Sequence, residues 1–320
     1  MNTLKTPVTV LTGFLGSGKT TLLNYILTAK HGKKIAVIEN EYGEIGIDHE
    51  IVVNADEEIF EMNNGCICCT VRGDLIRILN QLAKKKDKFD YVIIETTGMA
   101  DPAPVAQTFF VDEQIKSQFQ LDAIITVVDG YHVLEQLERS PECPQQIAFA
   151  DVILLNKTDL IDEAQKQKVT QQIQAINPGV QVVPTIKGEI NLETILNVGS
   201  FDLNKTLEIH PDFLNGHKHH HHSQVGSVGL TTDKELNIEK FQAWIGNLLQ
   251  TQGADIYRVK GLIAMPGQSQ KYVFQGVHMQ TEGQLGSPWK ENEIRKSQLV
   301  FIGKNLDREK LTEGFLACHN

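Results

Sequence analysis

Residues 13–20, with the sequence GFLGSGKT, constrain the fold of this chain more than any other segment. A β-branched apolar run precedes them at residues 8–12, and a helical pattern of apolar residues begins at Lys19. The glycines permit a tight loop between a buried strand and a helix. Strand–loop–helix units of this kind build α/β domains around parallel sheets. The segment therefore predicts that the chain opens with such a unit.

The same alternation of strands and helices continues over the first 200 residues. The strands predicted from short apolar runs are residues 8–12, 35–39, 91–95, 123–129, 152–156 and 181–185. The helices predicted from apolar periodicity are residues 19–29, 71–86 and 162–176. Because crossover helices join parallel strands, we expect an α/β domain over residues 1–205, with a doubly wound, mainly parallel sheet of the P-loop NTPase type.

A second domain is predicted at the C-terminal end of the chain. Residues 206–224 are polar and carry six histidines, five of them clustered as His217, His219, His220, His221 and His222, so we interpret them as a linker. Beyond it, strands are predicted at residues 226–232, 256–265, 271–279 and 298–303, and helices at residues 238–249 and from residue 307 onward. Two helices beside three or four strands predict a smaller α+β domain over residues 225–320.

Composition excludes some classes of partner. The chain has 320 residues, 41% of them hydrophobic, which is enough for a full core, and its formal net charge is -10. An acidic protein has no general affinity for nucleic acid or anionic lipid, so neither is an expected partner. The sequence has no signal-peptide pattern and no apolar segment of membrane-spanning length, so we expect a cytoplasmic protein.

The loop at residues 13–20 matches the pattern G-x-x-x-x-G-K-[ST], which binds the phosphates of a nucleotide through backbone N–H groups. Lys19 is expected to contact the β- and γ-phosphates, and the Thr20 hydroxyl to ligate Mg²⁺. The residues expected to surround the phosphates are Gly13, Phe14, Leu15, Gly16, Ser17, Gly18, Lys19, Thr20 and Thr21.

An acidic residue, Glu95, ends the predicted strand at residues 91–95, beside the phosphate loop. We expect it to be the second carboxylate near Mg²⁺. In Ras-like GTPases the glycine of this strand-end motif is followed by a glutamine that orients water, but here Gly98 is followed by Met99. We therefore expect slow intrinsic hydrolysis, with water placed by another polar residue such as Asp48, by a conformational change, by a metal or by a partner.

The tetrapeptide NKTD at residues 156–159 follows another apolar strand and resembles the N-K-x-D element that recognises guanine. The carboxylate of such an element pairs with two donors on guanine, and adenine lacks these donors. We therefore expect Asn156, Lys157 and Asp159 to bind the base and to favour GTP over ATP.

Three cysteines, Cys66, Cys68 and Cys69, lie within four residues ahead of a predicted helix. A helix N-terminus lowers thiol pKa values, and thiolates bind borderline ions such as Zn²⁺. A fourth ligand is open among Glu39, Glu44, His49 and water, and the lack of a second ligand pair favours a transferable metal. Two alternatives are inert buried cysteines and a redox-active thiol pair. Cys143 and Cys318 receive no role.

Taken together, these motifs resemble the CobW-like family of metal-chaperone GTPases, including its YjiA and zinc-chaperone branches. The resemblance rests on GFLGSGKT, IENEYGEIGID at residues 38–48, GCICC at residues 65–69, ETTGMADP at residues 95–102 and NKTD. It implies a GTP- and Mg²⁺-dependent switch that carries Zn²⁺, or Co²⁺ or Ni²⁺, to a client metalloprotein or cofactor pathway.

The resemblance leaves three questions open. A zinc-sensing regulatory GTPase and a nickel-insertion GTPase are the alternative functions, and a homodimer is compatible with each. The His-rich segment either loads metal or is only a flexible linker.

Overall fold

A computed structural model describes residues 5–29, 32–39, 59–61, 70–85, 88–200, 225–291 and 293–320. The chain divides into two compact units. The first comprises Met1–Thr170 and Gln181–Phe201, and the second comprises Gln171–Val180 and Asp202–Asn320. The predicted linker at residues 206–224 lies outside the described residues, so the domain boundaries at 205 and 225 remain predictions.

The first unit contains a parallel sheet with helices between its strands. Its strands are β1 (Thr6–Gly13), β2 (Ile35–Glu39), β3 (Ile59–Glu61), β4 (Tyr91–Glu95), β5 (Phe119–Asp129), β6 (Val152–Asn156) and β7 (Gln181–Pro184). They pair in the order β3-β2-β4-β1-β5-β6-β7, and every recorded pairing is parallel. Its helices are α1 (Lys19–Thr28), α2 (Thr70–Ala83), α3 (Ala103–Val111), α4 (Glu113–Gln118), α5 (Val133–Arg139) and α6 (Glu142–Phe149). A further helix, α7 (Glu163–Ile176), begins in this unit, and its residues 171–176 are assigned to the second. The predicted P-loop NTPase-type fold is confirmed.

The strand order reverses at β1. This strand lies between β4 and β5, and the chain passes from one half of the sheet to the other after β4. In open α/β sheets, ligands bind outside the carboxyl ends of the strands at such a reversal of order. The phosphate loop follows β1, Glu95 ends β4 and Asn156 ends β6, so the fold brings all three to this edge.

Apolar side chains on both faces of the sheet hold the first unit together. Leu22, Leu23 and Ile26 of α1 are buried in one cluster with Leu11 of β1 and Ile93 of β4. Strands β1, β2, β4, β5 and β6 are buried on both sides, which explains why they read as continuous apolar runs in the sequence. The first turn of α1 is therefore held against the sheet that positions the phosphate loop.

The second unit contains a five-stranded antiparallel sheet. Its strands are β8 (Val225–Thr232), β9 (Ile256–Ile263), β10 (Gln270–Val277), β11 (Gln280–Pro288) and β12 (Ser297–Lys304), in the order β11-β10-β9-β12-β8. The helices α8 (Ile238–Gln252) and α9 (Arg308–Ala317) share a buried cluster with the sheet. Asn237 and Asp307 cap these helices, because their side chains accept hydrogen bonds from backbone N–H groups of the first turn. The predicted α+β class is confirmed.

Several strands and helices of the structure were not predicted from the sequence. The C-terminal sheet has five strands rather than three or four, because β11 is a polar, glycine-containing edge strand without an apolar pattern. Strand β3 and the helices α3 to α6 were also missed, because helices of six to nine residues show too few turns for a periodic signal. Within the described residues, no helix has both the length and the apolar character needed to cross a membrane.

Candidate nucleotide-binding site

The loop after β1 has a backbone that only glycine adopts easily. Gly13, Gly16 and Gly18 all have positive φ, at 143°, 74° and 106°. A Cβ added at Gly13 would lie 2.2 Å from the carbonyl oxygen of Val127, and one added at Gly18 would lie 2.3 Å from Nδ2 of Asn156. Gly13 and Gly18 therefore allow the loop to lie in close contact with β5 and β6.

The interior of this loop fits an anionic group. Lys19 is buried, with Nζ 3.4 Å from the carbonyl oxygen of Phe14. Ser17 is also fully buried, and its Oγ has no hydrogen-bond partner among the described residues. A buried hydroxyl without a partner is rare, and a phosphate oxygen would satisfy it. The loop, the ammonium group and the start of α1 thus match a phosphate-binding site.

Two acidic residues lie side by side at the same edge of the sheet. Glu39 of β2 and Glu95 of β4 are register partners on neighbouring parallel strands, and both are partly exposed. Next to them, Thr96 donates a hydrogen bond of 2.9 Å to the hydroxyl of Thr12, which fixes the end of β4 to β1. The predicted Mg²⁺ ligand Glu95 and the predicted zinc ligand Glu39 are therefore adjacent along the sheet.

Thr20, the other predicted Mg²⁺ ligand, lies in the first turn of α1, whereas the remaining predicted metal and water-orienting residues lie outside the described residues. These are Glu44, Asp48, His49, Cys66, Cys68, Cys69 and the histidines of the linker. Among the residues that are described, no group of three or more His, Cys, Asp or Glu side chains is arranged to hold a metal ion. The zinc site therefore stays a prediction.

Asn156 ties the NKTD motif to the phosphate loop. Its Nδ2 donates to the carbonyl oxygen of Ser17 at 2.9 Å, and its Oδ1 accepts from Thr185 Oγ1 and from the Gly188 N–H, each at 3.2 Å. The Asn156 side chain is buried, so these contacts rigidly link the NKTD motif to the phosphate loop. Contact between Asn156 and guanine remains a prediction.

The residues that follow Asn156 in the NKTD motif are increasingly exposed to solvent. Lys157 has a φ of 60°, in the left-handed region that is uncommon for residues other than glycine. A 3₁₀ turn, Thr158–Leu160, follows, and the Thr158 hydroxyl donates to the carbonyl oxygen of Thr185 at 3.0 Å. Asp159 lies in this turn and is exposed, so its carboxylate is accessible to a base.

Asp129, at the end of β5, is a residue of this site that the sequence did not reveal. Its Oδ2 accepts from Lys157 Nζ at 2.7 Å and lies 2.9 Å from His132 Nδ1. Burial alone would raise the pKa of Asp129, but the hydrogen bonds from Lys157 and His132 outweigh burial and lower the pKa below its ordinary value. Asp129 therefore stays ionised at neutral pH and holds Lys157 in place. The sequence signal that could have identified Asp129 is an acidic residue at the end of an apolar strand, as at Glu95.

Replacing Asp129 by asparagine is expected to weaken the binding of GTP and GDP by about 10-fold, because the carboxylate that holds the Lys157 ammonium group in place is lost. Nucleotide titration with a fluorescent GDP analogue measures this. Asp162→Asn makes the same change at an exposed cap of α7, where Asp162 Oδ1 accepts from the Gln165 N–H at 2.7 Å, and should leave affinity unchanged. Equal affinities in the two variants would show that the Asp129–Lys157 pair does not support nucleotide binding.

The fold and these contacts define a P-loop nucleotide-binding protein that carries an N-K-x-D motif. More narrowly, the chain belongs to the CobW family. The family model "CobW/HypB/UreG, nucleotide-binding domain" matches residues 7–184, and "Cobalamin synthesis protein cobW C-terminal domain" matches residues 225–319. The family resemblance inferred from the motifs is thereby confirmed.

Named relatives resemble the chain over nearly its whole length. It is 36% identical over 314 residues to the zinc chaperone YjiA of Escherichia coli, covering 96% of this chain and 97% of the relative. It is 33% identical over 377 residues to zinc-regulated GTPase metalloprotein activator 1 of Dictyostelium discoideum, covering 98% and 79%. The crystal structure of Zn(II)-bound YjiA GTPase from E. coli matches with a TM-score of 0.82 at 32% identity, covering 99% of this chain and 100% of that chain.

Proposed function

We propose that this protein is a GTPase that binds zinc and delivers it to a client metalloprotein. The observation that carries the proposal is the full-length likeness to a Zn(II)-bound GTPase, with a TM-score of 0.82. Two relatives of similar length are named a zinc chaperone and a zinc-regulated metalloprotein activator. The phosphate loop and the NKTD motif at one edge of the sheet supply the nucleotide site that such an activity requires.

In this proposal each part of the nucleotide site has a separate task. Lys19 contacts the β- and γ-phosphates, and Thr20 and Glu95 hold Mg²⁺, which supplies positive charge to the phosphates. Asp159 recognises guanine, and Asn156 holds the recognition motif against the phosphate loop. Asp48 is the proposed water-orienting residue. Met99 still predicts slow intrinsic turnover.

Zinc is the cargo in this proposal rather than a structural ion. Cys66, Cys68 and Cys69 supply thiolates, and Glu39 and Glu44 are the proposed oxygen ligands. The register of Glu39 with Glu95 supports communication between the zinc ligands and the Mg²⁺ site, because the two glutamates are neighbours on adjacent strands. Such adjacency alone does not establish two linked states, so zinc affinity must be measured in both nucleotide states.

The partner and the location belong to the proposal as well. The client is a metalloprotein that accepts zinc, and a homodimer in the cytoplasm is the proposed form of the protein. A zinc sensor would use the same ligands but would not give its metal away. Stoichiometric transfer of zinc to an apo metalloprotein separates the two functions.

The decisive experiment measures zinc affinity by competition with a chromogenic chelator under reducing conditions. Wild type and a variant with Cys66→Ser, Cys68→Ser and Cys69→Ser are each loaded with GDP or a non-hydrolysable GTP analogue. The triple variant should lose zinc affinity by at least about 100-fold, because serine does not supply a thiolate. Wild-type affinity should differ between the two nucleotides.

Cys143→Ser is the matched control. Cys143 is buried, and burial, then the nearby Glu142 carboxylate, raise the pKa of its thiol to about 12, which disfavours the thiolate form that binds zinc. This variant should bind zinc as wild type does. Weak zinc binding in the wild type, or binding that ignores both the cysteines and the nucleotide, would refute metal delivery and leave a GTPase switch.

A further inference from the structure

The side chain of Gln146 makes an unusual pair of contacts. This residue of α6 is 1% exposed, and its Nε2 donates to the carbonyl oxygen of Gly98 at 3.2 Å and to that of Ala100 at 3.1 Å. A side-chain amide has two N–H donors, so one amide group serves both carbonyls. The two acceptors lie on either side of Met99, which is 61% exposed. Gln146 therefore anchors the backbone of residues 98–100 to α6.

The segment that Gln146 holds also touches the phosphate loop. A Cβ added at Gly98 would lie 2.7 Å from both the N and the Cα of Leu15, so the two backbones are in direct contact. Two residues earlier, Thr96 is bonded to Thr12 of β1. The stretch after β4 is thus fixed on one side by the phosphate loop and on the other by α6.

Gln146 is itself held in place. The main-chain carbonyl oxygen of Gln146 accepts a hydrogen bond of 3.0 Å from the Thr126 hydroxyl of β5, the strand next to β1. A buried amide in such a setting needs partners for its donors, and a pair of backbone carbonyls provides them. Satisfying a buried amide does not, however, require carbonyls from the segment that contacts the phosphate loop. Hydrogen bonds therefore connect β5 through Gln146 to residues 98–100, and backbone contact between Gly98 and Leu15 connects that segment to the phosphate loop.

We propose that Gln146 is a positioning residue for GTP hydrolysis: it fixes the backbone of residues 98–100 against the phosphate loop and thereby sets the catalytic rate. The inference rests on the proposed GTPase activity. Since Met99 stands where Ras-like GTPases carry a water-orienting glutamine, the backbone here is the part that needs exact placement. Gln146 does not touch the nucleotide in this proposal and acts through Gly98 and Ala100.

The test compares Gln146→Leu with Gln145→Leu. Leucine keeps approximate size but removes both donors, whereas Gln145 is the neighbouring, partly exposed residue on the same helix and lies outside this pair of contacts. Steady-state GTP hydrolysis by the full chain, measured as phosphate release, gives kcat and KM. For Gln146→Leu we expect kcat to fall by about 10-fold or more and KM to stay within about 3-fold of wild type. Gln145→Leu should leave both unchanged.

The split between kcat and KM separates positioning from mere stabilisation. A normal kcat in Gln146→Leu overturns the proposal. A lower nucleotide affinity together with a lower melting temperature in Gln146→Leu also overturns it, because the two losses indicate a general packing defect. Absence of turnover in the wild type would count against the GTPase itself rather than against Gln146.

Hydrogen exchange provides a readout that does not depend on turnover. If Gln146 anchors the segment, the backbone amides of residues 98–100 should exchange faster in Gln146→Leu than in Gln145→Leu, with exchange elsewhere in the chain alike. Identical exchange in the two variants overturns the anchoring role. This comparison keeps the inference testable when the hydrolysis rate is too low to measure.

Discussion

Asp159→Asn is expected to lower the affinity for GTP by about 1,000-fold and to create affinity for xanthosine triphosphate. The carboxylate of Asp159 is exposed in the 3₁₀ turn Thr158–Leu160 and is acceptor-only. Guanine offers two neighbouring donors, N1–H and the exocyclic amine, whereas xanthine has a carbonyl in place of the amine. Asparagine supplies one acceptor and one donor and therefore complements xanthine.

The size of the effect follows from leaving polar groups unpaired. A base whose donors face the wrong side-chain group loses hydrogen bonds that water would have supplied, and sites of this kind discriminate strongly. The turn is anchored through Thr158 to Thr185 and through Asn156 to Ser17, so the motif does not relax to accept the wrong base. The exchange of one side-chain oxygen for nitrogen should therefore switch specificity without loss of fold.

The measurement is competition of GTP, XTP and ATP against a fluorescent GDP analogue bound to wild type, and against a fluorescent XDP analogue bound to Asp159→Asn. Asp162→Asn, three residues further along, serves as the control because its side chain caps α7. It should keep the wild-type order of affinities. Retained GTP preference in Asp159→Asn would mean that another residue recognises the base.

The motifs of the nucleotide site could be predicted because their chemistry is local. Residues 13–20 and 156–159 each follow an apolar run, and parallel strands bring their carboxyl ends to one edge. Glu95 was placed at this edge by the same argument. Spacing, residue type and strand direction together were enough to place these segments at one edge of the sheet.

Contacts between distant segments could not be predicted in this way. The sequence did not predict that Asn156 would bond to Ser17, Thr185 and Gly188, whereas its contact with guanine stays a prediction. Asp129 and Gln146 carry no motif, and their partners become visible only after β5, β6 and α6 are folded together. Such tertiary hydrogen bonds depend on where backbones cross, which residue spacing alone does not encode.

Short and polar elements were missed for a related reason. Helix α6 has eight residues, and the side chain that matters most on it, Gln146, is polar and buried. A periodic apolar pattern is weak over so few turns. Strand β11 lies at the edge of its sheet, where burial no longer demands apolar residues.

Gly18→Ala is expected to lower the affinity for both GTP and GDP by at least about 100-fold, because two independent penalties act together. The φ of 106° at this position is strained for any residue with a Cβ. The new methyl group would also lie 2.3 Å from Asn156 Nδ2, which donates to the Ser17 carbonyl oxygen. Asn156 would have to move and to break the contact between the phosphate loop and the NKTD motif.

Gly16→Ala separates these two penalties. Gly16 also has a positive φ, 74°, but an added Cβ there meets nothing within 4 Å. This variant carries backbone strain without a collision, so its loss of affinity should stay within about 10-fold. Titration of both variants with a fluorescent GDP analogue, alongside their melting temperatures, measures the difference. Equal losses at Gly16 and Gly18 would attribute the effect to strain in the loop. A much larger loss at Gly18 identifies the Asn156–Ser17 contact as the element that keeps the phosphate-binding and base-binding halves of the site in register.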